Sequence, residues 1–196
     1  MKIIGITGIF GSGKSTVGCI LGELGAAVID VDTIVHQLYR PGTEGFQRVT
    51  NLFGAEILSS DGCIDRKILA GIVFADKAVR TKLNTAIHPL VLQETKAVLA
   101  EHRRRDVRAA VVEAPLLIEA GWVPMVDEVW VTTASRKIIF RRLSQKCGMP
   151  PSSVLARIHA QLPVKEQIKH ATHIINTDTS LERLKTKVKT LWQKIA

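Results

Sequence analysis

Eight consecutive residues decide the fold class of this chain: Gly8-Ile9-Phe10-Gly11-Ser12-Gly13-Lys14-Ser15. They match the phosphate-loop pattern GxxxxGK[ST]. Its glycines allow successive backbone N–H groups to turn inward around an anion, and the helix that follows adds the positive end of its dipole. The stretch therefore predicts a binding site for the phosphates of a nucleotide.

The flanking residues supply the context that this motif requires. Lys2–Thr7 is a short apolar run typical of a buried strand, and the apolar residues after Lys14 recur at helical spacing. Gly25 predicts the end of that helix, and Ala27–Ile29 predicts a second strand. A chance glycine-rich turn, the alternative, does not account for a strand before the loop and a helix after it.

Later apolar runs extend the pattern to a parallel sheet. Two of them lack internal alternation, as expected of strands covered on both faces: Ala109–Val112 and Glu128–Thr132. A further run, His173–Ile175, ends at Asn176. The last segment predicts an amphipathic helix with one apolar stripe, formed by Leu181, Leu184, Val188, Leu191 and Ile195. We therefore predict an α/β fold with a five-stranded parallel sheet flanked by helices.

Two long segments of helical character interrupt the strands. The first is apolar enough to pack a small subdomain, and turn signals such as His88-Pro89 predict helix boundaries within it. We expect one domain, 1–196, with a core at 1–31, 107–134 and 171–196, a helical insertion at 32–106 and a helical lid at 135–170.

Composition limits the compartment and the class of protein. No apolar run approaches the roughly 18 residues of a membrane span, so no membrane association is expected. The chain has three cysteines, Cys19, Cys63 and Cys147, which are widely spaced and outside any CxxC pair. This pattern disfavours a disulfide framework or a zinc site and favours a cytoplasmic protein.

The net charge of +9 is compatible with a nucleic-acid-binding ATPase or with a site for a phosphorylated small molecule. The densest basic cluster is Arg103, Arg104, Arg105 and Arg108, and it contains no aromatic residue. Such a cluster is more typical of a solvated helix end than of a nucleic-acid interface. We expect no nucleic-acid partner.

Within the loop, each residue type suggests a role. Lys14 is expected to reach the β and γ phosphates of ATP, and the Ser15 hydroxyl to ligate Mg²⁺. The remaining residues expected to line the ATP site are Gly8, Gly11, Ser12, Gly13 and Thr16. A guanine-specific NKxD motif is absent from the sequence, which disfavours a GTPase.

A kinase also needs a carboxylate near the acceptor hydroxyl. Asp30 and Asp32 stand two residues apart at the carboxyl end of the second strand, and strand spacing would point both side chains to the same side. Asp32 is the candidate catalytic base. The alternative is that Asp32 only caps a helix beginning at Thr33.

Glu113 and Arg142 are further candidates. Glu113 closes the third strand, where it could bind substrate or hold Mg²⁺ through water; the alternative is a surface residue or a structural ion pair. Arg142 lies in the predicted lid, where it could close over the phosphates and stabilise charge in the transition state. The alternative for Arg142 is a solvated helix face.

Further short segments follow the phosphate loop along the chain, beginning with Val28-Ile29-Asp30-Val31-Asp32 and Pro41-Gly42-Thr43-Glu44-Gly45. The later segments are Phe53-Gly54 with Ile57-Leu58, Asp61-Gly62-Cys63-Ile64-Asp65-Arg66, Val73-Phe74-Ala75-Asp76, His88-Pro89-Leu90-Val91, Pro115-Leu116-Leu117-Ile118-Glu119, Arg142-Leu143, Ala156-Arg157-Ile158 with Gln161, and Ile174-Ile175-Asn176. In this order the segments resemble the dephospho-CoA kinases, and the first two are similar to that family's VIDAD and PGTxG signatures.

This resemblance implies a P-loop kinase fold with a helical substrate-binding insertion and a lid. It also implies transfer of the ATP γ-phosphoryl to the ribose 3′-hydroxyl of dephospho-CoA, the last step of coenzyme A biosynthesis, with Mg²⁺ as cofactor. Asp32 occupies the family's base position, Asn176 would lie near the adenine, and Arg66 and His88 would lie on the acceptor side. Another nucleoside, nucleotide or small-molecule acceptor is the alternative. The sequence does not indicate the oligomeric state.

Three departures from the family pattern stand out. Ile9 occupies a position that is often glycine, Lys146-Cys147 replaces an Arg-Asp pair, and Ile168-Lys169 replaces a Lys-Arg pair. Lysine keeps the charge of arginine but not its bidentate fork, so the lid is expected to hold phosphate differently.

Overall fold

The computed structural model describes residues 1–147 and 150–195, with side chains at all of these except 146 and 147. Within them, five strands form one sheet in the order β2-β3-β1-β4-β5, and every neighbouring pair is parallel. The strands are β1 Lys2–Gly8, β2 Ala27–Asp30, β3 Ala109–Glu113, β4 Glu128–Thr133 and β5 His173–Asn176. The predicted α/β fold and its strands are confirmed.

The described helices alternate with these strands and fill both long segments between them. They are α1 Lys14–Glu23, α2 Val31–Leu38, α3 Glu44–Phe53, α4 Arg66–Ala75, α5 Lys77–Arg104, α6 Arg136–Cys147, α7 Pro151–His159, α8 Val164–Ile168 and α9 Leu181–Ile195. By its contacts the chain divides into two compact units. The first contains Met1–Asp30 and the chain from Leu99 onward, and the second is Val31–Val98.

The core of the first unit lies between the sheet and helices α1 and α9. Every residue of β3 is buried, and Trp130 of β4 is fully buried beside apolar residues of both helices. The buried face of α9 consists of Leu184, Val188 and Trp192. Leu181, predicted to belong to this stripe, is instead 51% exposed. It is the first residue of α9, and the buried residues of the helix begin one turn later, at Leu184.

Strand register brings chemically important residues to one edge of the sheet. Glu113 pairs with Ile6 on one side and with Asp30 on the other, while Gly8 pairs with Thr132. These positions are at or near the carboxyl ends of parallel strands, where α/β proteins build their binding sites.

The second unit also contains buried apolar residues, among them Val49, Ile57, Leu69, Val73 and Ile87. Two of its helices begin at side-chain caps. Thr43 accepts from the backbone N–H of Phe46 at the start of α3, and Asp65 accepts from those of Lys67 and Ile68 at the start of α4. Such caps satisfy N–H groups that have no partner within the helix.

Helix α5 continues through Pro89, so the predicted boundary at His88-Pro89 is wrong. Proline removes one backbone hydrogen bond and crowds the preceding turn. Here Arg48 donates to the carbonyl of Ala86, 2.9 Å away, in the turn before the proline. Apolar residues on both sides of Pro89 are also buried, namely Leu83, Ile87, Leu90 and Val91. Packing therefore outweighs the local preference for a break.

Candidate active site

The phosphate loop follows β1 and leads directly into α1. Gly8 has φ 148° and Gly13 has φ 93°, a region of backbone space that favours glycine. A Cβ at Gly8 would lie 2.5 Å from the carbonyl oxygen of Thr132 on the neighbouring strand. The backbone at Gly8 therefore approaches β4 more closely than any side chain would allow.

Lys14 is the cation of this loop, and its side chain is 8% exposed. Its Nζ donates to the carbonyl oxygens of Gly8 and Ile9, at 3.0 and 3.4 Å. The ammonium group is thus held over the turn of the loop that is expected to receive phosphates.

Ser12, predicted to bind ATP, has a buried hydroxyl that forms a 2.6 Å hydrogen bond with the hydroxyl of Thr132. Because the Thr132 hydroxyl also contacts the carbonyl of Thr7, at 3.2 Å, Thr132 donates to Thr7 and Ser12 donates to Thr132. The Ser12 side chain fixes the loop to the sheet, and its backbone N–H donates to the carbonyl of Ile9 at 3.0 Å.

Ser15 and Glu113 come together at the end of β3. The Ser15 hydroxyl donates to Oε1 of Glu113 across 2.7 Å, and Glu113 is 8% exposed. A Cβ at Gly18 would lie 3.0 Å from the other Glu113 oxygen, so α1 packs directly against this carboxylate. Thr16 lies on the exposed side of the same helical turn.

Arg142, on α6, is bound to the residue that follows β5. Its Nη1 donates to the Thr177 hydroxyl at 2.9 Å, and its Nη2 donates to the Thr177 carbonyl at 2.7 Å. The Thr177 hydroxyl in turn donates to the carbonyl of Ser12 at 2.7 Å. Sequence reasoning missed Thr177, although it is next to Asn176, which ends β5 and accepts from the Asp178 backbone N–H.

Asp32 lies in the first turn of α2, since that helix begins at Val31 directly after β2. Both sequence interpretations of its position are therefore wrong in detail: Asp32 is not on the strand, and the helix does not begin at Thr33. The strand ends at Asp30, and Asp32 is exposed one turn before His36.

Arg66, the first residue of α4, lies beside His36. One guanidinium nitrogen is 3.4 Å from Nδ1 of His36, and because guanidinium only donates, that ring nitrogen accepts. Burial raises the pKa of the Tyr39 hydroxyl to about 12, with the nearby charge of Arg66 opposing part of the rise. Sequence reasoning missed His36 and Tyr39, although they follow Asp32 at helical spacing.

A model of one protein family, described as dephospho-CoA kinase, matches residues 2–183. This chain belongs to the dephospho-CoA kinase family. A dephospho-CoA kinase from Dehalococcoides mccartyi is 43% identical, with 97% of this chain and 96% of that protein covered.

Solved structures agree with the family assignment. A dephospho-CoA kinase from Campylobacter jejuni has a TM-score of 0.71 at 26% identity, covering 100% of this chain and 98% of that one. A Thermus thermophilus protein has a TM-score of 0.81 at 32% identity, with the same coverage. The resemblance inferred from the motifs is confirmed, as are the kinase class and the P-loop kinase fold.

In this chain the segment predicted to be a lid contains α6, α7 and α8. Residues from it form an apolar cluster around Ile9 of the phosphate loop: Ile139, Leu143 and Val154. Ile9 thus has a packing role at a position that the family often leaves to glycine. Lys169 pairs with Glu166 at 2.6 Å on the exposed surface, while the side chains of Lys146 and Cys147 lie outside the described residues.

The described residues, 1–147 and 150–195, contain neither a membrane-spanning helix nor a cluster of metal-ligating side chains. No helix in that part of the chain combines the length and apolar character needed to span a membrane. Nor does it contain a group of three or more His, Cys, Asp or Glu side chains placed to hold a metal ion. Kinase Mg²⁺ does not require such a group, because it is bound mainly by phosphate oxygens, water and one or two protein oxygens.

His88, on α5, is half-buried, and burial lowers the pKa of its imidazole from the ordinary value of 6.5. Below pH about 6.5 the His88 imidazole is protonated in the unfolded chain, whereas in the folded protein its lowered pKa keeps it neutral to a lower pH. The stability due to neutral His88 is present above that pH and is lost as the pH falls. We expect the free energy of unfolding to decrease less between pH 7.5 and 5.5 in His88→Gln than in wild type, as measured by urea denaturation.

His170→Gln is the matched control for this experiment, because His170 is exposed. It should keep the pH dependence of the wild type. If His88→Gln showed the same pH dependence as His170→Gln, the burial of His88 would not contribute to the acid sensitivity of the fold.

Proposed function

We propose that this protein transfers the γ-phosphoryl group of ATP to the ribose 3′-hydroxyl of dephospho-CoA, producing CoA and ADP. Membership of the dephospho-CoA kinase family over residues 2–183 is the observation that carries the proposal. The local chemistry supports it, because the intact phosphate loop holds Lys14 over the carbonyls of Gly8 and Ile9. In the proposed reaction the acceptor oxygen bonds to the γ phosphorus while the bond from that phosphorus to the bridging oxygen breaks.

On the nucleotide side, Lys14 leaves the loop carbonyls and neutralises oxygens of the β and γ phosphates. Backbone N–H groups at Gly11 and Gly13 surround the phosphates, as expected for a loop at a helix N-terminus. Arg142 uses two guanidinium nitrogens to hold Thr177. Since guanidinium has five N–H donors, three of them are left over from these two bonds for ATP.

The Ser15 hydroxyl and Glu113 fit a magnesium site, because two hard oxygen donors lie 2.7 Å apart at the end of the loop. We assign Ser15 as a direct ligand and Glu113 as a residue that holds a metal-bound water or orients Ser15. When bound, Mg²⁺ would neutralise charge on the β and γ phosphates. The residues themselves provide the oxygens and fix their spacing.

On the acceptor side, Asp32 accepts the proton of the 3′-hydroxyl as the new oxygen–phosphorus bond forms. Its exposure in the first turn of α2 supports this role, since the carboxylate can reach a substrate group. His36 and Arg66 lie on the same side of the second unit, where they provide a cation and a polar ring for the anionic acceptor. His88 is assigned to the acceptor side by resemblance to the family.

The direct test is phosphorylation of dephospho-CoA by the purified protein with ATP and Mg²⁺, with adenosine and AMP as alternative acceptors. We expect kcat/KM for dephospho-CoA to exceed the other two by at least about 100-fold, because a site built for polar groups strongly disfavours acceptors that lack them. Product is identified by mass and by its 3′-phosphate. Phosphorylation of adenosine or AMP in preference to dephospho-CoA would replace the proposal with a kinase of another acceptor.

A further inference from the structure

Gln161, just beyond the end of α7, binds the phosphate loop with every polar group of its side chain. Its Oε1 accepts from the backbone N–H of Phe10 at 2.6 Å. Its Nε2 donates to the carbonyl of Pro115 at 2.9 Å and to the carbonyl of Gly8 at 3.3 Å. A single side chain therefore joins both sides of the loop turn to the segment that follows β3.

Surrounding contacts hold Gln161 in this position. The backbone N–H of the next residue, Leu162, donates to Oε1 of Glu119 at 2.8 Å. The guanidinium carbon of Arg157, on α7, lies 4.9 Å from the centre of the Phe10 ring, within range of a cation–π interaction. The loop and the end of α7 are thus connected through both the backbone and the side chain of Phe10.

The carbonyl of Gly8 is shared between two donors. Lys14 Nζ contacts it at 3.0 Å, and Gln161 Nε2 contacts it at 3.3 Å. If Lys14 moves to the phosphates of ATP, this buried oxygen loses one of its two partners. A buried carbonyl without any partner is unfavourable, so the remaining bond from Gln161 would reduce the cost of the lysine movement.

We infer that Gln161 is a positioning residue that maintains the shape of the phosphate loop while Lys14 exchanges the Gly8 carbonyl for nucleotide phosphates. The inference rests on the proposed function, in which Lys14 binds ATP. Gln161 acts through the backbone of Gly8 and Phe10 and does not contact the reacting atoms. Its loss should therefore weaken nucleotide binding, while the KM for dephospho-CoA at saturating ATP stays close to wild type.

Two substitutions separate the functions of the side chain. Gln161→Met keeps the length and removes all three hydrogen bonds. Gln161→Glu keeps an acceptor for Phe10 but cannot donate to Gly8 or Pro115. We expect both variants to raise the dissociation constant of Mg-ATP by about tenfold, the effect of leaving a buried acceptor unsatisfied. Calorimetric titration of the full-length protein measures this constant directly.

Gln167→Leu is the matched control. Gln167 is a fully buried glutamine on α8 whose Nε2 donates to the carbonyl of Leu162 at 2.8 Å. Its loss should lower the Tm in the same way as Gln161→Met but leave the affinity for Mg-ATP unchanged. Equal nucleotide affinities for Gln167→Leu and both Gln161 variants would overturn the inference, because Gln161 would then have only a structural role.

A double-mutant comparison with Lys14→Met separates failure of this inference from failure of the proposed function. Without Lys14 no cation leaves the Gly8 carbonyl on binding, so adding Gln161→Met to Lys14→Met should weaken nucleotide binding less than about twofold. A full additional tenfold loss would contradict the inference alone. If Lys14→Met itself changed neither nucleotide affinity nor turnover, the phosphate-loop assignment in the proposed function would be wrong.

Discussion

Asp32→Asn is expected to lower kcat for dephospho-CoA phosphorylation by about 10²- to 10⁴-fold, the usual contribution of a positioned general base. Asparagine keeps the size and the hydrogen-bonding ability of the side chain but cannot take the proton of the 3′-hydroxyl. The affinity for Mg-ATP should change little, since the substitution keeps the phosphate loop, including the bond from Lys14 to Gly8 and that from Ser15 to Glu113. Steady-state kinetics and calorimetric titration measure the two quantities.

The control for this variant is Asp65→Asn. Asp65 belongs to the same helical unit and caps α4, and asparagine is an equally good capping residue. Asp65→Asn should therefore keep near-wild-type turnover. Turnover of Asp32→Asn within a few-fold of wild type would show that Asp32 is not the base, and would leave it a structural residue of the first turn of α2.

Lys14→Met is expected to reduce kcat/KM for ATP by at least about 10²- to 10³-fold, the range for loss of one group that stabilises charge in the transition state. Methionine matches the aliphatic part of the lysine side chain, so the buried site stays filled. Only the ammonium group is lost, together with its bonds to the carbonyls of Gly8 and Ile9. The variant is assayed at a range of ATP concentrations with dephospho-CoA held saturating.

Lys185→Met provides the comparison for loss of a lysine that is not expected to contact ATP. Lys185 is on α9, where its Nζ is 3.2 Å from a carboxylate oxygen of Glu23. An exposed ion pair of this kind contributes little to stability, and its loss should leave kcat/KM unchanged. If Lys14→Met behaved like Lys185→Met, the loop would not be acting as the ATP phosphate site.

The strands and the phosphate loop could be predicted because their signals are local. Each strand is an apolar run of a few residues ending at a polar one, and the loop is defined by glycines at fixed spacing. β3 is an example. The sequence predicts a strand at Ala109–Val112 closed by Glu113, and the strand in the structure is Ala109–Glu113. The predicted roles of Lys14, Ser15 and Glu113 also follow from their places at the ends of elements.

The remaining features depend on contacts that a local pattern does not reveal. The continuity of α5 through Pro89 results from burial on both sides, and the early start of α2 at Val31 moved Asp32 from the strand into a helix. Arg142 and Thr177 are separated by 35 residues in sequence, and Gln161 and Phe10 by 151. Such pairings are determined only by the assembled fold.

The packing of Ile9, Phe10 and Ser12 changes how the phosphate-loop pattern should be understood in this protein. The pattern writes these three positions as x, which suggests that any residue would serve. Here Ile9 is buried in an apolar cluster, Phe10 lies against Arg157, and Ser12 is bonded to Thr132. These three side chains therefore attach the loop to α6, α7 and β4, so positions that the pattern leaves unspecified still have structural roles. If only the two glycines, the lysine and the serine of the pattern were placed in another chain, that chain would have the residues expected to bind phosphate. It would lack the contacts that hold the loop in position.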